Sequence, residues 1–93
     1  MSIIVNKIKN VSVAYGSVPA AFGTLIALGT VYTYNHMLVV NSLDANVVIK
    51  IGDNEVTFPA NTNITIDNLS HNGTLTYKYA SAPSSGALTV MCY

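Results

Sequence analysis

The sequence predicts an all-β fold, a small antiparallel β-sandwich or jelly-roll-like barrel of about seven to eight strands. Three observations predict it. From Leu38 onward apolar and polar residues alternate with the period of two that a half-buried strand requires. Turn-forming residues recur every 8 to 12 residues or so between these runs, the spacing of an all-β domain. No linker or internal repeat divides the 93 residues, so 1–93 reads as a single domain. For that length the surface-scaling rule gives roughly 5,200 Å² folded against roughly 14,400 Å² unfolded, enough burial for one core.

The strands can be taken in order. Val47, Ile49 and Ile51 fall on one face, Val48 and Lys50 on the other, and Gly52, Asp53 and Asn54 supply turn chemistry. The return strand, Glu55 to Phe58, turns Val56 and Phe58 inward, and Pro59, which has no N–H for the ladder, closes it. Asn63 to Asp67 places Ile64 and Ile66 together before the loop Asn68 to Gly73 breaks the pairing. Leu75, Tyr77 and Tyr79 then alternate with Thr76 and Lys78, and Ala80 to Gly86, with Pro83, Ser84 and Ser85, reads as a loop. In the final strand, Ala87 to Tyr93, Leu88, Val90 and Cys92 face one side and Thr89, Met91 and Tyr93 the other, a pattern suited to cover on both faces.

The first third has no clean period. Ile3 to Val13 reads as one strand or two; Thr24 to Leu28 and Gly29 to Tyr34 read as strands broken at Gly29, with a short helix over Pro19 to Leu28 as the alternative. Residues 1–35 read either as part of the sandwich or as including an N-terminal arm that reaches onto a neighbouring subunit. No charge occurs between Lys9 and Asp44, and Val18 to Tyr34 is apolar enough to raise a membrane helix. Gly16, Pro19, Gly23 and Gly29, with Thr24, Thr30, Val31 and Thr33, favour extended and turning backbone instead. A secretory signal, with Lys7 and Lys9 ahead of Ala20 and Ala21, would have too broken an apolar segment. No membrane partner is expected.

Charge is scarce. Lys7, Lys9, Lys50 and Lys78 balance Asp44, Asp53, Glu55 and Asp67, there is no arginine, and charged residues make up 9% of the chain against about 25% in ordinary soluble domains. Ten Asn, eight Ser, nine Thr and six Tyr supply polarity in their place. Such a surface hydrogen-bonds without repelling its neighbours; it reads as one that touches other protein, the alternative being a neutral monomer. Scattered lysines do not neutralise a phosphate backbone, so nucleic acid is not an expected partner.

The candidates for chemistry are few. His36 and His71 lack the close companion of a zinc site and read as structural. The four carboxylates sit at expected turns or strand ends, where Asp caps its own backbone, and Asp53, Asn54 and Glu55 fall short of a calcium loop's ligand count. Cys92, the only cysteine, rules out an internal disulfide and reads as a small apolar residue. No nucleophile–base order, phosphate loop or Cys-x-x-Cys pair is present. The sequence therefore assigns no catalytic, cofactor-binding or metal residue and points away from an enzyme. Asn-x-Ser/Thr triplets at Asn10, Asn63, Asn68 and Asn72 follow from composition. Tyr32 with Tyr34, and Tyr77 with Tyr79, have the spacing for cross-strand aromatic pairs: core if buried, protein or sugar contacts if exposed.

Asn41, Ser42 and Asp44 ending a strand, Gly52 and Asp53 in a turn, Phe58, Pro59, Ala60 and Thr62 along an edge, Ile66 with Asp67, and the closing Pro83-Ser-Ser-Gly-Ala-Leu-Thr-Val form a connected pattern. Over residues 37 to 93 it resembles small β-sandwich structural proteins of tailed bacteriophages. The resemblance implies a non-enzymatic virion protein, decorating the capsid or joining head and tail components, with capsid or head/tail subunits as partners and a homo-oligomeric state. The alternative function is a lectin-like or host-surface carbohydrate-binding module, suggested by the tyrosines and by the Asn-rich loops Asn61 to Asn63 and Asn68 to Gly73.

Overall fold

The computed structural model describes residues 7–93. Its strands are β1 (Lys9–Ala14), β2 (Gly23–Ala27), β3 (Met37–Asn41), β4 (Val47–Ile51), β5 (Asn54–Phe58), β6 (Thr62–Ile66), β7 (Thr74–Tyr79) and β8 (Ala87–Cys92), with one 3₁₀ turn at Tyr15–Ser17.

The tightest unit is the β4–β5 hairpin. Ile51 pairs with Asn54, leaving only Gly52 and Asp53 between the strands. Gly52 has φ +60°, the position that a two-residue hairpin turn of this hand reserves for glycine. Around this hairpin the remaining pairs nest: β3 with β6, β2 with β7, and β1 with β8, all antiparallel. The nested ladder folds over into two four-stranded sheets, β1-β8-β3-β6 and β2-β7-β4-β5, through the further pairs β3 with β8 and β4 with β7. This is jelly-roll topology, within the all-β sandwich class that the sequence predicts.

The core lies between the sheets, built from alternate residues: Met37 and Val39 of β3, Val47 and Ile49 of β4, Leu75 and Tyr77 of β7, and Leu88, Val90 and Cys92 of β8 are all buried. Each fully buried large apolar side chain contributes about 1.5–3 kcal/mol. The opposite face of β8 is half-covered at Thr89 and Met91. The folded surface, 5263 Å², agrees with the length-based expectation.

The first third contributes two edge strands, β1 to one sheet and β2 to the other. A bulge between Thr24 and Ile26 lets both Leu25 and Ile26 face inward, which is why period two fails there. Two expectations are corrected. Pro19–Leu28 is not helical. Gly29–Tyr34 is not a strand: the segment is a loop held against the β6–β7 connection by bonds from Leu28 N–H to the Gly73 carbonyl and from Gly73 N–H to the Gly29 carbonyl, with one isolated bridge between Tyr34 and His71. Those parts of the Ile3–Val13 strand and of the N-terminal arm that fall on residues 1–6 lie outside the described residues.

Asn41, at the end of β3, is the one polar residue recorded as buried among the described residues. Its two Nδ2 N–H groups are shared among the carbonyls of Ala45 (3.2 Å), Phe58 (3.1 Å) and Pro59 (3.0 Å), and its Oδ1 accepts from the Leu43 N–H (3.1 Å). The amide thus ties the end of β3 to backbone groups of the β3–β4 loop and of the end of β5. Nearby, Gly86 at φ +90° packs so closely on the 42–43 backbone that a Cβ would run into the Ser42 carbonyl oxygen.

Asn41→Ala should lower unfolding stability by about 2–4 kcal/mol, because it leaves several screened backbone groups unpaired; a urea unfolding curve within about 0.5 kcal/mol of the parent would contradict this role. Gly86→Ala should cost more than about 2 kcal/mol through clash and left-handed φ. Gly16→Ala, where nothing lies within 4 Å of the added Cβ, should stay within about 0.5 kcal/mol in the same assay.

Candidate functional site

Each strand crosses the sandwich from end to end, so the connecting loops gather at two poles. At one pole the β3–β4, β5–β6, β7–β8 and β1–β2 connections are tied together. Tyr15 N–H donates to the Gly86 carbonyl, Ser42 N–H to Ala87, Asn61 N–H to Leu43 and Ala80 N–H to Asn46. The carboxylate of Asp44 accepts from the backbone N–H of Ser84 (2.8 Å) and of Ser85 (3.3 Å), and from the Ser84 hydroxyl. These donors, the hydroxyl foremost, hold the Asp44 pKa below its ordinary 3.8. The expectation that Asp44 chiefly caps its own backbone is therefore corrected: its main partners lie forty residues on.

The other pole carries both histidines, Asp67, Tyr34 and Tyr93. The Gly29–Tyr34 loop lies against the β6–β7 loop, and Tyr34, fully buried, bridges His71 through reciprocal backbone bonds of 2.8 and 2.9 Å. Two residues along, His36 stacks on Tyr93 with ring centroids 5.0 Å apart and 25° between planes. Its Nδ1 lies 3.7 Å from Asp67 Oδ1, both side chains being substantially exposed, so the pair contributes at most about 1 kcal/mol. Both histidines, 35 residues apart in sequence, thus sit at one end. A cavity of about 280 Å³ opens beside them, lined by Lys9, Ala27, Leu28, Gly29, Val31, Tyr32 and Tyr34. The Tyr34 hydroxyl is buried with no hydrogen-bond partner among the described residues.

The tyrosine pairs do not form across strands as their spacing suggests. Tyr77 lies opposite Gly23 and Ile49, Tyr79 opposite Val47, and Tyr32 belongs to the loop. Burial pushes the Tyr77 hydroxyl up in pKa and raises the Cys92 thiol to about 11, so Cys92 carries no thiolate at neutral pH. Asp53 and Asn54 lie at the hairpin turn while Glu55 sits on β5 opposite Lys50, so the three do not converge on one point. Among the described residues no group of three or more His, Cys, Asp or Glu is placed to hold a metal ion, and no helix is long and apolar enough to cross a membrane. Sequence reasoning missed the Asp44–Ser84 contact, which joins loops that only the nested pairing brings together, and the cavity, which sets Lys9 of β1 against the 27–34 segment.

Comparison with known proteins gives no match. No protein-family model, curated protein or solved structure aligns significantly with the chain.

Because its hydroxyl is buried without a partner among the described residues, Tyr34→Phe should be neutral or should stabilise the chain by up to about 1 kcal/mol; a loss of more than that in thermal unfolding would reveal a partner for the hydroxyl. For Asp44 the folded pKa is depressed, so its stabilisation is present above pH 3.8 and fades as pH falls through the lower, folded value. Asp44→Asn should therefore reduce stability at neutral pH and flatten the acid limb of the stability–pH profile; an unchanged profile would remove the staple from the account.

Proposed function

We propose that the chain is a non-enzymatic bacteriophage virion structural protein that decorates or joins capsid or head/tail components through protein–protein contacts, as a homo-oligomer. The observation that carries this reading is the charge-poor, amide- and hydroxyl-rich surface over a rigid all-β body: it forms contacts without like-charge repulsion. The resemblance of residues 37 to 93 to small phage β-sandwich proteins supports it, and jelly rolls are used by viral capsids among other proteins, an association of fold and not of function.

A second reading, a lectin-like carbohydrate-binding module, is favoured by one feature. The cavity of about 280 Å³ includes the half-buried Tyr32, an aromatic surface of the kind that stacks on a sugar ring.

A tagged chain produced during phage growth should co-sediment with assembled particles through a density gradient. Its absence from particles, together with a specific signal on a glycan array, would replace the first reading by the second.

A further inference from the structure

An open sheet edge offers unpaired N–H and C=O groups to any strand that fits, and folded proteins usually protect such edges with charge, proline, glycine bulges or cover. The four edges of this sandwich differ in that respect. β1 begins at the exposed Lys9 and runs alongside β2. β2 is interrupted by its bulge. β5 carries Glu55 and ends against Pro59. β6, Thr62-Asn-Ile-Thr-Ile66, has no charge, proline, glycine or register shift along its five pairs with β3. It also borders a side of the sandwich that the described residues leave partly uncovered, where Val56 of β5 and Ile64 and Ile66 of β6 are only half-buried.

We infer that β6 is the self-association edge, and that two copies of this chain pair antiparallel along it to join two four-stranded sheets into one of eight. The proposal rests on the reading of the chain as a homo-oligomer and names the surface that makes it one. The occupant is a second copy because the strand complements itself. With the two-fold axis at Ile64, Asn63 of each copy faces Thr65 of the other, amide against hydroxyl, and Thr62 faces Ile66. Ile64 meets Ile64 of the second copy, covering the half-exposed apolar strip. Asp67, just beyond the strand, falls opposite Asn61 and meets no like charge. The contact is isologous and closed, so it stops at a dimer rather than growing into a fibre. Asn63 and Thr65 are exposed, so both can be replaced without disturbing the core.

The test uses the full chain and sedimentation equilibrium, with circular dichroism to confirm folding. In this register N63K/T65K places lysine directly opposite lysine at two positions, and the dimer dissociation constant should rise about 30-fold, equivalent to about 2 kcal/mol. N63K/T65E carries the same number of charges but sets each lysine opposite a glutamate, and should remain within about threefold of the parent. A strictly monomeric parent overturns the proposal, as does a dimer indifferent to N63K/T65K or one weakened equally by both variants. Co-sedimentation with particles is read separately, so an edge that fails leaves the virion reading to its own result.

Discussion

The structure depends most on the buried amide of Asn41. A sandwich whose strands shuttle between two sheets must turn its backbone at each pole, and a turn pressed against the core leaves carbonyls without water. Ala45 and Phe58 present such carbonyls, and a single side chain reaches both, together with the Pro59 carbonyl that the Thr62 hydroxyl also bonds, while its own oxygen receives the Leu43 N–H. Ala45 and Phe58 bracket the sheet containing β4 and β5, whereas Asn41 ends a strand of the other sheet, so the amide fastens the layers as well as the loop. With that loop fixed, Leu43 and Ala45 are buried while Ser42, Asp44 and Asn46 face out. The Asp44 and Ser42 contacts to the 84–87 segment follow from this orientation.

Strands with one strictly alternating face, β4 through β8, are legible in the sequence because burial on one side imposes period two. Val47, Ile49, Leu75, Leu88 and Val90 are read correctly by pattern alone. β2 is read as a strand over Thr24 to Leu28, within one residue of its observed bounds, but its facing is not legible, since its bulge turns Leu25 and Ile26 to the same side. The Gly29–Tyr34 loop is also misread: Tyr32 and Tyr34 have strand composition, but Tyr34 is buried as a loop residue over the end of the core. The polar groupings are hidden for a different reason. His36 and His71, or Asp44 and Ser84, come together only through pairing between distant strands, and a local pattern holds no record of it.

Side-chain placement engages most of the few cations with aromatic rings. Lys50 and Lys78 lie with their ammonium groups 5.6 and 4.9 Å from the centroid of the Phe22 ring, and Lys7 lies 5.7 Å from that of Tyr34. Three of the four lysines therefore rest over aromatic faces, an interaction worth about 0.5–1 kcal/mol at exposed sites, and their apolar stems cover surface that would otherwise be wet. What such a face presents to a neighbour is chiefly hydroxyl, amide and ring. Geometric fit and hydrogen bonding, more than long-range attraction, then govern which surfaces it meets.

The nested pairing also orders the folding reaction. Only the β4–β5 hairpin closes a short loop; each successive pair encloses the one before, and β1 with β8 joins residues such as Lys9 and Cys92 from opposite ends of the described chain. Loop-closure entropy makes direct formation of the outer pairs unfavourable until the inner ones have drawn the ends together. A nested topology of this kind is expected to close outward from the hairpin and to fold slowly for its size, because most of its ladder is non-local. β8 is the strand that holds β1 and β3 in a single sheet, so that sheet cannot close before Ala87–Cys92 has joined it.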